Sequence, residues 1–584
     1  MKRHVAIFGG GIAGMTAAQE LIEKGFSVSI YEKDSSLGGM AKSKRNLYDG
    51  IPTEHSWRGY ARFYYNLFDI IRRIPLQIET FALYTMETIK RHNTRDSLWT
   101  VYQDRVYDIT RFVPTHPGGS IILKAGGRRL EDVWKENGVQ FHESSQTVMN
   151  ILRDYEIGTI SSKTEHFGQS VYDNLNHDNI SFKITTGSYV MWRDIPYLFY
   201  SHLKTILSSS ERRDKLYTTV KDNVSASTWD YLAYFLAGPG FGFDVNTVGL
   251  RQYASFLAKT IMKSGWTVMS RPTSEAWLEP WKRFLRSVGV RMNTNSTLTK
   301  IHVRGDTIIS CEVVTDGVAR IITADEYCFC INPNLSAPIF RDSGMTELSE
   351  QFSELETINN QIGFVIGLGA VTDLPVKGYS INNSPYNITL YPQSKFWRDD
   401  EYLGNVKSLW SGTVILPYRK GLSGKTATEL NRSELGNEIL SQIFRNGNFT
   451  RYGQNVLFIR IYDEWKWTGD RLTSDNPKWV NTVRNDSYRP YQKTSYHNFY
   501  LGGAHTKTSV DIWSMEGAVE SGKLVANLIL GKYGHEGVTL YNHELRVIKY
   551  LKKLDGILSR LQLPNIVDVI LVVIIVMIVT SRKK

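Results

Sequence analysis

Two histidines, His116 and His142, have the surroundings that an iron porphyrin requires. His116 begins the turn HPGG, in which Pro117 and two glycines bend the chain sharply and leave no side chain to collide with a macrocycle. His142 lies 26 positions later, in QFHESS, and its imidazole could approach the iron from the opposite face. Two imidazoles complete the six-coordination of iron, so this site would carry single electrons and leave no position for oxygen.

Other interpretations of these histidines stay open at this point. His116 is then a turn residue and His142 a residue at the start of a helix, without a metal. His166 is a fallback for the second iron ligand, although it lies beyond YEIGTI, where a small domain would end.

A second group of residues predicts a dinucleotide site at the amino end. The stretch HVAIFGGGIAGMTAAQELIEKGFSVSIYEKD predicts a strand, a glycine turn, a helix and a second strand. Gly9 makes the tight turn, Gly11 lets the backbone approach a pyrophosphate, and Gly14 lets helix and strand pack closely. The Glu32 carboxylate can accept hydrogen bonds from both hydroxyls of a ribose. Its charge would repel a 2′-phosphate, which argues against NADP.

A further glycine pair, Gly38 and Gly39, follows the acid in SSLGGMAKSKR. This arrangement resembles the amine oxidase and phytoene desaturase superfamily of flavoproteins, and the resemblance implies FAD rather than NAD. That family usually has Arg or Lys after the pair, where this chain has Met40. Lys42 or Arg45 would then substitute for the missing cation.

The far end of the chain resembles the closing FAD motif of the same superfamily, in residues 498–530, NFYLGGAHTKTSVDIWSMEGAVESGKLVANLIL. A helix that starts near Ser514 would point its positive end at the flavin and stabilise negative charge there. Many relatives have Asp where Ala504 stands, so the usual contact would be missing or made by His505. Small residues permit the close approach of this helix, namely Gly517, Ala518, Ser521 and Gly522.

Taken together, the motifs and the resemblance imply a set of residues that bind FAD. Leu298 belongs to it because it falls where the superfamily places a backbone contact to adenine. The set is Gly9, Gly11, Gly14, Glu32, Lys33, Gly38, Gly39, Lys42, Leu298, Gly503, Ala504, Ser514 and Met515. No catalytic side chain is assigned, since relatives often need little beyond an apolar pocket that presents a C–H bond to the flavin.

The flavoprotein pattern is interrupted after RRIP and resumes near Ser170. The intervening residues contain W-x-V, VYDIT-x-F and HPGG, and they resemble cytochrome b5, most closely the variety found in sulfite oxidases. This resemblance implies haem b with His116 and His142 as axial ligands. We therefore expect an α/β, Rossmann-like FAD-binding fold with an α+β substrate domain, an inserted α+β haem domain and a C-terminal hydrophobic helix.

These features divide the chain into four segments. The first FAD-binding part covers residues 1–80, and the inserted haem domain covers residues 81–162. The second FAD-binding and substrate-binding part covers residues 163–535. A basic amphipathic segment and a membrane anchor occupy residues 536–584.

The bulk composition limits the classes of function. A chain of 584 residues exceeds the about 250–300 residues at which one hydrophobic core stops growing, so several structural units are expected. Three cysteines cannot form a disulfide framework, which favours a reducing compartment. The net charge of +11 is spread along the chain, which favours a loose attraction to anionic membranes, and no nucleic acid is expected as a partner.

The C-terminal stretch from Ile566 to Val579 is apolar apart from Asp568. As a helix it spans about 21 Å, short of the ~30 Å hydrocarbon core, and local thinning of the bilayer can close part of this gap. We expect a single-pass tail anchor with the bulk of the chain on the cytosolic side. The alternative is a buried core helix or strand. The preceding LRVIKYLKKLDGILSRLQLP has a basic face and would lie on the membrane surface.

The leading functional hypothesis is a membrane-anchored FAD-dependent oxidoreductase. It would oxidise or desaturate an apolar, isoprenoid-like or lipid-like substrate and exchange electrons with its own haem, with an external electron donor or acceptor completing the circuit. One alternative is an oxygen-using amine oxidase with a peripheral haem. Another is a non-catalytic redox or structural protein, for which the departures at Met40 and Ala504 argue.

Overall fold

The computed structural model describes residues 2–581 with short gaps. These gaps are 47, 55–57, 77–81, 161–169, 181, 185–188, 210–219, 233–247, 264, 359–360, 382, 399–400, 402, 470, 475–476 and 480–481. The fallback iron ligand His166 lies outside the described residues.

The helices follow one another along the whole chain. They are α1 (Ile12–Glu23), α2 (Tyr65–Arg72), α3 (Met86–Lys90), α4 (Leu130–Glu136), α5 (Gln146–Asp154), α6 (Ile195–Leu207), α7 (Ala226–Tyr231), α8 (Leu250–Met262), α9 (Glu279–Ser287), α10 (Pro333–Asp342), α11 (Thr346–Ser353), α12 (Arg432–Phe444), α13 (Val483–Tyr488), α14 (Met515–Lys532), α15 (Arg546–Arg560) and α16 (Ile566–Ser581).

The strands are mostly short. They are β1 (His4–Phe8), β2 (Ser27–Tyr31), β3 (Ser43–Arg45), β4 (Pro52–Glu54), β5 (Tyr60–Ala61), β6 (Ala82–Leu83), β7 (Asn93–Thr94), β8 (Ser97–Tyr102), β9 (Arg105–Asp108), β10 (Glu156–Thr159), β11 (Leu175–Ile180), β12 (Phe182–Ile184), β13 (Trp266–Met269), β14 (Arg291–Asn293), β15 (Ser296–Arg304), β16 (Thr307–Thr315), β17 (Val318–Ile322), β18 (Glu326–Phe329), β19 (Thr357–Ile358), β20 (Ile362–Leu368), β21 (Gly378–Ile381), β22 (Ile388–Tyr391), β23 (Ser408–Val414), β24 (Val456–Ile461), β25 (Trp465–Thr468), β26 (Arg471–Ser474), β27 (Lys478–Trp479) and β28 (Phe499–Leu501).

A parallel five-stranded sheet in the order β14-β2-β1-β18-β28 carries the predicted nucleotide-binding half. Its central strand β1 is apolar over Val5–Phe8 and fully buried, as expected for a strand covered by helices on both faces. The strand β28 comes from the far end of the chain, so the two ends of the sequence meet in one sheet.

A second sheet, in the order β12-β21-β22-β23-β20-β24, forms the other half of the flavoprotein. Its strands pair antiparallel except for β12 and β21. The helix α12 covers it with Leu435, Ile439 and Ile443, which lie in the same buried apolar cluster as the strand residues.

The inserted segment folds around a core of its own. The sheet β6-β10-β9-β8-β7 packs with α4 and α5 through buried side chains that include Leu98, Trp134 and Leu152. The chain leaves and returns at one place, because Pro75 and Ser170 form an antiparallel bridge. The N–H of Val171 also donates to the carbonyl of Ile74 at 2.8 Å. An insertion of this kind leaves the host sheet uninterrupted.

Glycines set the contact between the first and last helices of the flavoprotein. A Cβ at Gly522 on α14 would lie 2.5 Å from the carbonyl oxygen of Ala13 on α1, so only glycine permits this approach. A Cβ at Gly14 would lie 2.1 Å from the carbonyl oxygen of Gly9, which ties α1 to the turn that precedes it.

The C-terminal helices α15 and α16 pack against α6. The side chain of Asp568, the one charge in the apolar stretch, lies at the start of α16 and is paired. Its carboxylate accepts hydrogen bonds from Lys204 Nζ at 2.8 Å and from the hydroxyl of Tyr200 at 2.6 Å. Beyond this first turn, the side chains from Ile570 to Val579 are all exposed.

Within the described residues, no helix combines the length and the apolar character that are needed to cross a membrane.

Replacing Gly522 by alanine tests the helix contact. The added methyl meets the backbone of Ala13, so we expect G522A to lower the free energy of unfolding by about 1–3 kcal/mol. The matched control is G531A in the same helix, where a Cβ meets open space; we expect it to be neutral or to stabilise by up to ~1 kcal/mol. Chemical denaturation followed by tryptophan fluorescence measures both. Equal losses in the two variants would contradict this packing.

Candidate cofactor and substrate site

One cavity of about 600 Å³ lies between the parallel sheet, the second sheet and the start of α14. It brings together residues that are far apart in the sequence. Eleven of the thirteen residues predicted to bind FAD line it, namely Gly9, Gly11, Glu32, Lys33, Gly38, Gly39, Leu298, Gly503, Ala504, Ser514 and Met515. The other two, Gly14 and Lys42, do not line the cavity.

The Glu32 carboxylate is held in place by the backbone at the end of β2. One oxygen accepts the N–H of Gly10 at 2.6 Å and the other accepts the N–H of Asp34 at 3.0 Å. Burial raises the pKa of Glu32, and these two hydrogen bonds oppose the rise. The remaining lone pairs are available to a ribose diol in the cavity.

The two glycine motifs contact each other directly. The N–H of Gly38 donates to the carbonyl of Gly10 at 2.8 Å, and a Cβ at Gly39 would lie 3.1 Å from the Cα of Gly11. Both Gly38 and Gly39 have positive φ, 123° and 54°, a conformation that favours glycine. A bare backbone wall therefore faces the cavity, as a close approach to a diphosphate requires.

Arg58, which the sequence analysis missed, supplies a cation to this wall. Lys42 is engaged elsewhere, since its Nζ donates to Asp34 at 2.5 Å, and Arg45 pairs with Glu275 and Glu401. Arg58 lines the cavity and donates to the carbonyl of Met40, directly after the glycine pair. A cation that reaches the motif from another segment leaves no signal in the local spacing.

The closing motif presents the N-terminus of α14 to the cavity. Ser514 caps this helix, with its hydroxyl oxygen accepting the N–H of Gly517 at 3.1 Å. The preceding turn is fixed by Gly503, whose N–H donates to the Ser521 hydroxyl at 3.0 Å. The positive end of an 18-residue helix therefore points at the site, where it stabilises negative charge.

His505 is a buried imidazole that lines the cavity, and its Nε2 has no hydrogen-bond partner among the described residues. The ring lies against Gly503, where a Cβ would come within 2.4 Å of it. Burial, together with the nearby Arg489 guanidinium, lowers the pKa of His505 to about 3. The imidazole is therefore neutral at physiological pH and can donate or accept one hydrogen bond inside the cavity.

The second sheet contributes the wall opposite the nucleotide-binding half. Gln361, Thr389 on β22 and Thr413 on β23 line the cavity there, and apolar side chains of α10 such as Leu335 and Ile339 line it as well. Among the described lining residues, the only carboxylates are those of Glu32 and Asp34 in the parallel-sheet half. The wall from the second sheet is therefore uncharged.

His116 follows a short 3₁₀ turn, Thr110–Thr115, in the inserted unit. Its Nδ1 lies 3.1 Å from the carbonyl oxygen of Gly119, so an Nδ1–H donates there and leaves Nε2 for a metal. A Cβ at Gly118 would come within 2.8 Å of this ring. The HPGG turn is therefore required by the position of the imidazole itself.

His142 lies on a second 3₁₀ turn, Gln140–Ser144, and its ring packs on Trp134 and Phe141 at centroid distances of 5.5 and 4.5 Å. Burial and the nearby His116 lower the pKa of His142. Both histidines are half-buried in the inserted unit. Two half-buried imidazoles in one small domain fit the axial positions of a haem iron.

The helix α9 joins the two cofactor regions. Its Lys282 donates to the Ser36 hydroxyl at 2.8 Å, in the loop that leads to Gly38. The same Nζ lies 3.7 Å from a carboxylate oxygen of Asp154, at the end of α5 in the inserted unit. A single side chain thus contacts the nucleotide loop and the histidine-bearing unit.

Sequence families match three parts of the chain. The NAD(P)-binding Rossmann-like domain matches residues 7–74. The cytochrome b5-like Heme/Steroid binding domain matches residues 85–161. The flavin containing amine oxidoreductases match residues 279–530.

Curated relatives match over short stretches. A cytochrome b5 of Rhizopus stolonifer is 30% identical over 95 residues, 16% of this chain and 69% of that protein. The Delta(5) fatty acid desaturase A of Dictyostelium discoideum is 40% identical over 87 residues, 15% of this chain and 18% of the desaturase. A ceramide very long chain fatty acid hydroxylase of Saccharomyces cerevisiae is 36% identical over 102 residues, 17% of this chain and 26% of the hydroxylase. The chain spans about a quarter or less of the length of the desaturase and of the hydroxylase.

Solved structures match nearly the whole chain at low identity. A putrescine oxidase has a TM-score of 0.53 and 13% identity, with 91% of this chain and 99% of that one covered. A Pyrococcus furiosus protein has a TM-score of 0.50 and 9% identity, with 92% and 99% covered. They confirm the predicted flavoprotein fold. The family matches confirm the inserted haem domain and FAD and haem as cofactors. The individual binding residues stay predictions.

Replacing His505 tests whether its imidazole contacts the cofactor in place of the acid missing at position 504. We expect H505A to raise the dissociation constant of FAD about tenfold, the loss of one buried hydrogen bond. The added carboxylate of A504D in the H505A background should restore much of the affinity. Quenching of FAD fluorescence on addition to apoprotein measures both.

The matched control for H505A is H302A, since His302 pairs with Glu312 on the surface sheet. Because the pKa of His505 is about 3, the contribution of its imidazole to FAD affinity should not change between pH 5 and 8. Equal FAD affinities for H505A and H302A would contradict a contact between His505 and the cofactor.

Proposed function

Since the chain belongs to the flavin containing amine oxidoreductases and carries a cytochrome b5 domain within their fold, we propose that it is a membrane-attached oxidoreductase. It oxidises or desaturates an uncharged, apolar substrate and exchanges the electrons with its own haem. A flavin takes up two electrons as a hydride and releases them singly, and a bis-histidine haem carries one electron. One chain with both cofactors converts two-electron substrate chemistry into one-electron traffic, or the reverse.

The observation that carries this proposal is the contact of the haem domain with α9. The haem domain is tethered at both ends, at Pro75 and Ser170, and its Asp154 lies beside Lys282. Tethering raises the effective concentration of one redox centre near the other far above what two separate proteins reach. Lys282 also holds Ser36 beside the nucleotide loop, so the haem domain lies against the flavin half.

The lining of the cavity supports an uncharged substrate. A cationic amine needs a negative partner, since burying an unpaired charge is costly. The described wall from the second sheet offers hydroxyl and amide groups from Thr389, Thr413 and Gln361. The helix α10, which packs on the parallel sheet, adds apolar groups. Leu335 and Ile339 would exclude water from a C–H bond that the wall presents to the cofactor. The relatives named for fatty acid desaturation and ceramide hydroxylation fit a lipid-like substrate.

An oxygen-using amine oxidase with a peripheral haem is the second candidate. The fold likeness to a putrescine oxidase favours it. The uncharged wall argues against it, because a diamine would bring two positive charges into a cavity whose carboxylates, among the described lining residues, lie in the parallel-sheet half. A non-catalytic redox or structural protein is the third candidate, and the departures at Met40 and Ala504 favour it. Arg58 and His505 offer replacements for the groups missing there.

Attachment to a membrane from the cytosolic side completes the proposal. The side chains of α16 are exposed and apolar from Ile570 to Val579, and its one charge, Asp568, is already neutralised by Lys204. Exposing such an apolar surface to water is unfavourable in free energy, and contact with lipid removes this cost. The short α16 need not cross the whole bilayer to hold the protein there.

Removing each predicted iron ligand tests the relay. We expect H116A and H142A to lose the low-spin haem absorption while keeping the flavin bands, because the two sites are separate. The matched control is H92A, since His92 belongs to the same domain but stacks on Trp99 and bonds to Ser97. Absorption spectra of the oxidised and dithionite-reduced proteins measure this. A haem band that survives both ligand variants would contradict the assignment.

The same preparations separate the candidates. Under anaerobic conditions, putrescine should leave the flavin of the wild-type protein oxidised; its bleaching would favour the amine oxidase. A bound flavin that dithionite cannot reduce would favour the non-catalytic protein.

A further inference from the structure

The helix α6 presents an exposed apolar stripe. It lies in residues 163–535, the segment predicted to bind FAD and substrate, which we call the substrate half. Trp192 precedes the helix, and Ile195 and Phe199 continue at helical spacing; their side chains are 81%, 53% and 70% exposed. Such large apolar side chains are rarely left in water side by side without a partner.

This stripe continues into the seam that holds the C-terminal helices. Leu203 and Ile206 extend the same spacing by further turns, and both pack in the cluster that includes Leu207, Ile566 and Val567. One half of the α6 stripe is therefore covered by the base of α15 and α16. The other half is exposed and adjoins it.

The helix α15 presents a second exposed stripe. Its members recur at intervals of three and four residues on one side of the helix and are 50–67% exposed, namely Val547, Tyr550, Leu554, Ile557 and Leu561. The adjacent side holds Ile548, Leu551 and Leu558 against α6 and α16. The exposed apolar surface of α6, α15 and α16 is thus carried by three helices that contact one another.

The charged side chains of α15 indicate what covers the exposed apolar surface. The exposed charged side chains of α15 are all positive, namely Arg546, Lys549, Lys553 and Arg560. Its acid, Asp555, is buried and serves as a cap, accepting the N–H of Ile566 at 2.9 Å and the N–H of Ser209 at 2.8 Å. Exposed apolar stripes flanked by basic side chains fit the interface of a bilayer with anionic lipids.

We propose that the membrane-binding surface of this protein includes α6 of the substrate half together with α15 and α16, so that Trp192, Ile195 and Phe199 enter the lipid interface. This inference rests on the membrane attachment in the proposed function and extends it from the tail to the substrate domain. The substrate half then lies on the bilayer, where an apolar substrate is dissolved.

The path from this surface to the cavity is short. The helix α8 packs on α6, with the rings of His202 and Tyr253 at 5.9 Å. On its other side, Lys259 of α8 donates to the carbonyl of Val510 at 2.9 Å, and Arg251 pairs with Asp511 at 3.2 Å. Residues on either side of this loop, from Gly503 to Ser514, line the cavity. One helix therefore separates the membrane surface from the cofactor site.

Binding of the full-length holoprotein to vesicles tests the inference. The variants are W192S/I195S/F199S on α6, V572D/I575D on α16, and V318S/I321S as the matched control. Val318 and Ile321 are comparably exposed, 57% and 61%, but lie on the surface strand β17. The vesicles contain phosphatidylcholine alone or with phosphatidylserine, and co-sedimentation gives the affinity. The flavin and haem absorption of each variant reports its folding.

We expect the α6 variant to bind the anionic vesicles about tenfold or more weakly than the wild type, while the control binds as the wild type does. Binding of the α6 variant at the wild-type level, together with loss of binding in V572D/I575D, would overturn the α6 contact and leave the tail alone. A wild-type protein that binds neither kind of vesicle would contradict the proposal of membrane attachment itself. Its flavin and haem spectra would still test the redox proposal separately.

A second readout covers an α6 variant that fails to fold. W192C labelled with an environment-sensitive fluorophore should shift to the blue on anionic vesicles, and V318C with the same label should not. The native Cys311 and Cys328 are buried, and Cys330 is half-buried, so the signal of the wild-type protein treated with the same label is subtracted. An unshifted label at position 192 on vesicles that bind the protein, or a wild type that self-associates through this face without binding lipid, would also overturn the inference.

Discussion

The close approach of backbone to backbone at a few glycines is the constraint on which the flavin site depends. Gly14 lets α1 lie against the first turn, Gly39 lies against Gly11, and Gly522 lets α14 reach α1. A methyl group at Gly14 or Gly522 would lie within 2.5 Å of a carbonyl oxygen. Because these contacts join the first and last segments of the fold, the cavity exists only when both ends of the chain have folded together.

The haem domain exploits the tolerance of this fold for insertion. The host chain is interrupted at Pro75 and resumes at Ser170, and the bridge between these two residues lets the parallel sheet form as if nothing intervened. The side chain of Lys282 on α9 contacts Asp154 of the inserted domain, and it also contacts Ser36 in the nucleotide loop. The two redox domains are thus joined by the chain at both ends of the insertion and are in contact at Lys282, which is the physical basis of the proposed relay.

Much of this arrangement could be predicted from the sequence, because local motifs carry their own geometry. The glycine turns, the acid Glu32 and the HPGG turn each have a spacing that fixes a backbone conformation. Arg58 could not be found in this way, since it reaches the glycine pair from another segment. The α6 stripe was also missed, because only the folded tail shows which half of it is covered.

The departures from the superfamily pattern have a common physical explanation. Position 40 lacks a cation and position 504 lacks an acid, yet the structure places the guanidinium of Arg58 and the neutral imidazole of His505 beside those positions. The site can keep its donors while changing which segment supplies them. A sequence motif shows which residues one segment supplies. Only the fold shows that a side chain from another segment takes the same place.

Electron transfer between the flavin and the haem of one molecule can be followed by flash photoreduction of the flavin, with haem absorption as the readout. We expect haem reduction to follow flavin reduction at a rate independent of protein concentration. A rate proportional to protein concentration, or a haem that stays oxidised beside a reduced flavin, would contradict it.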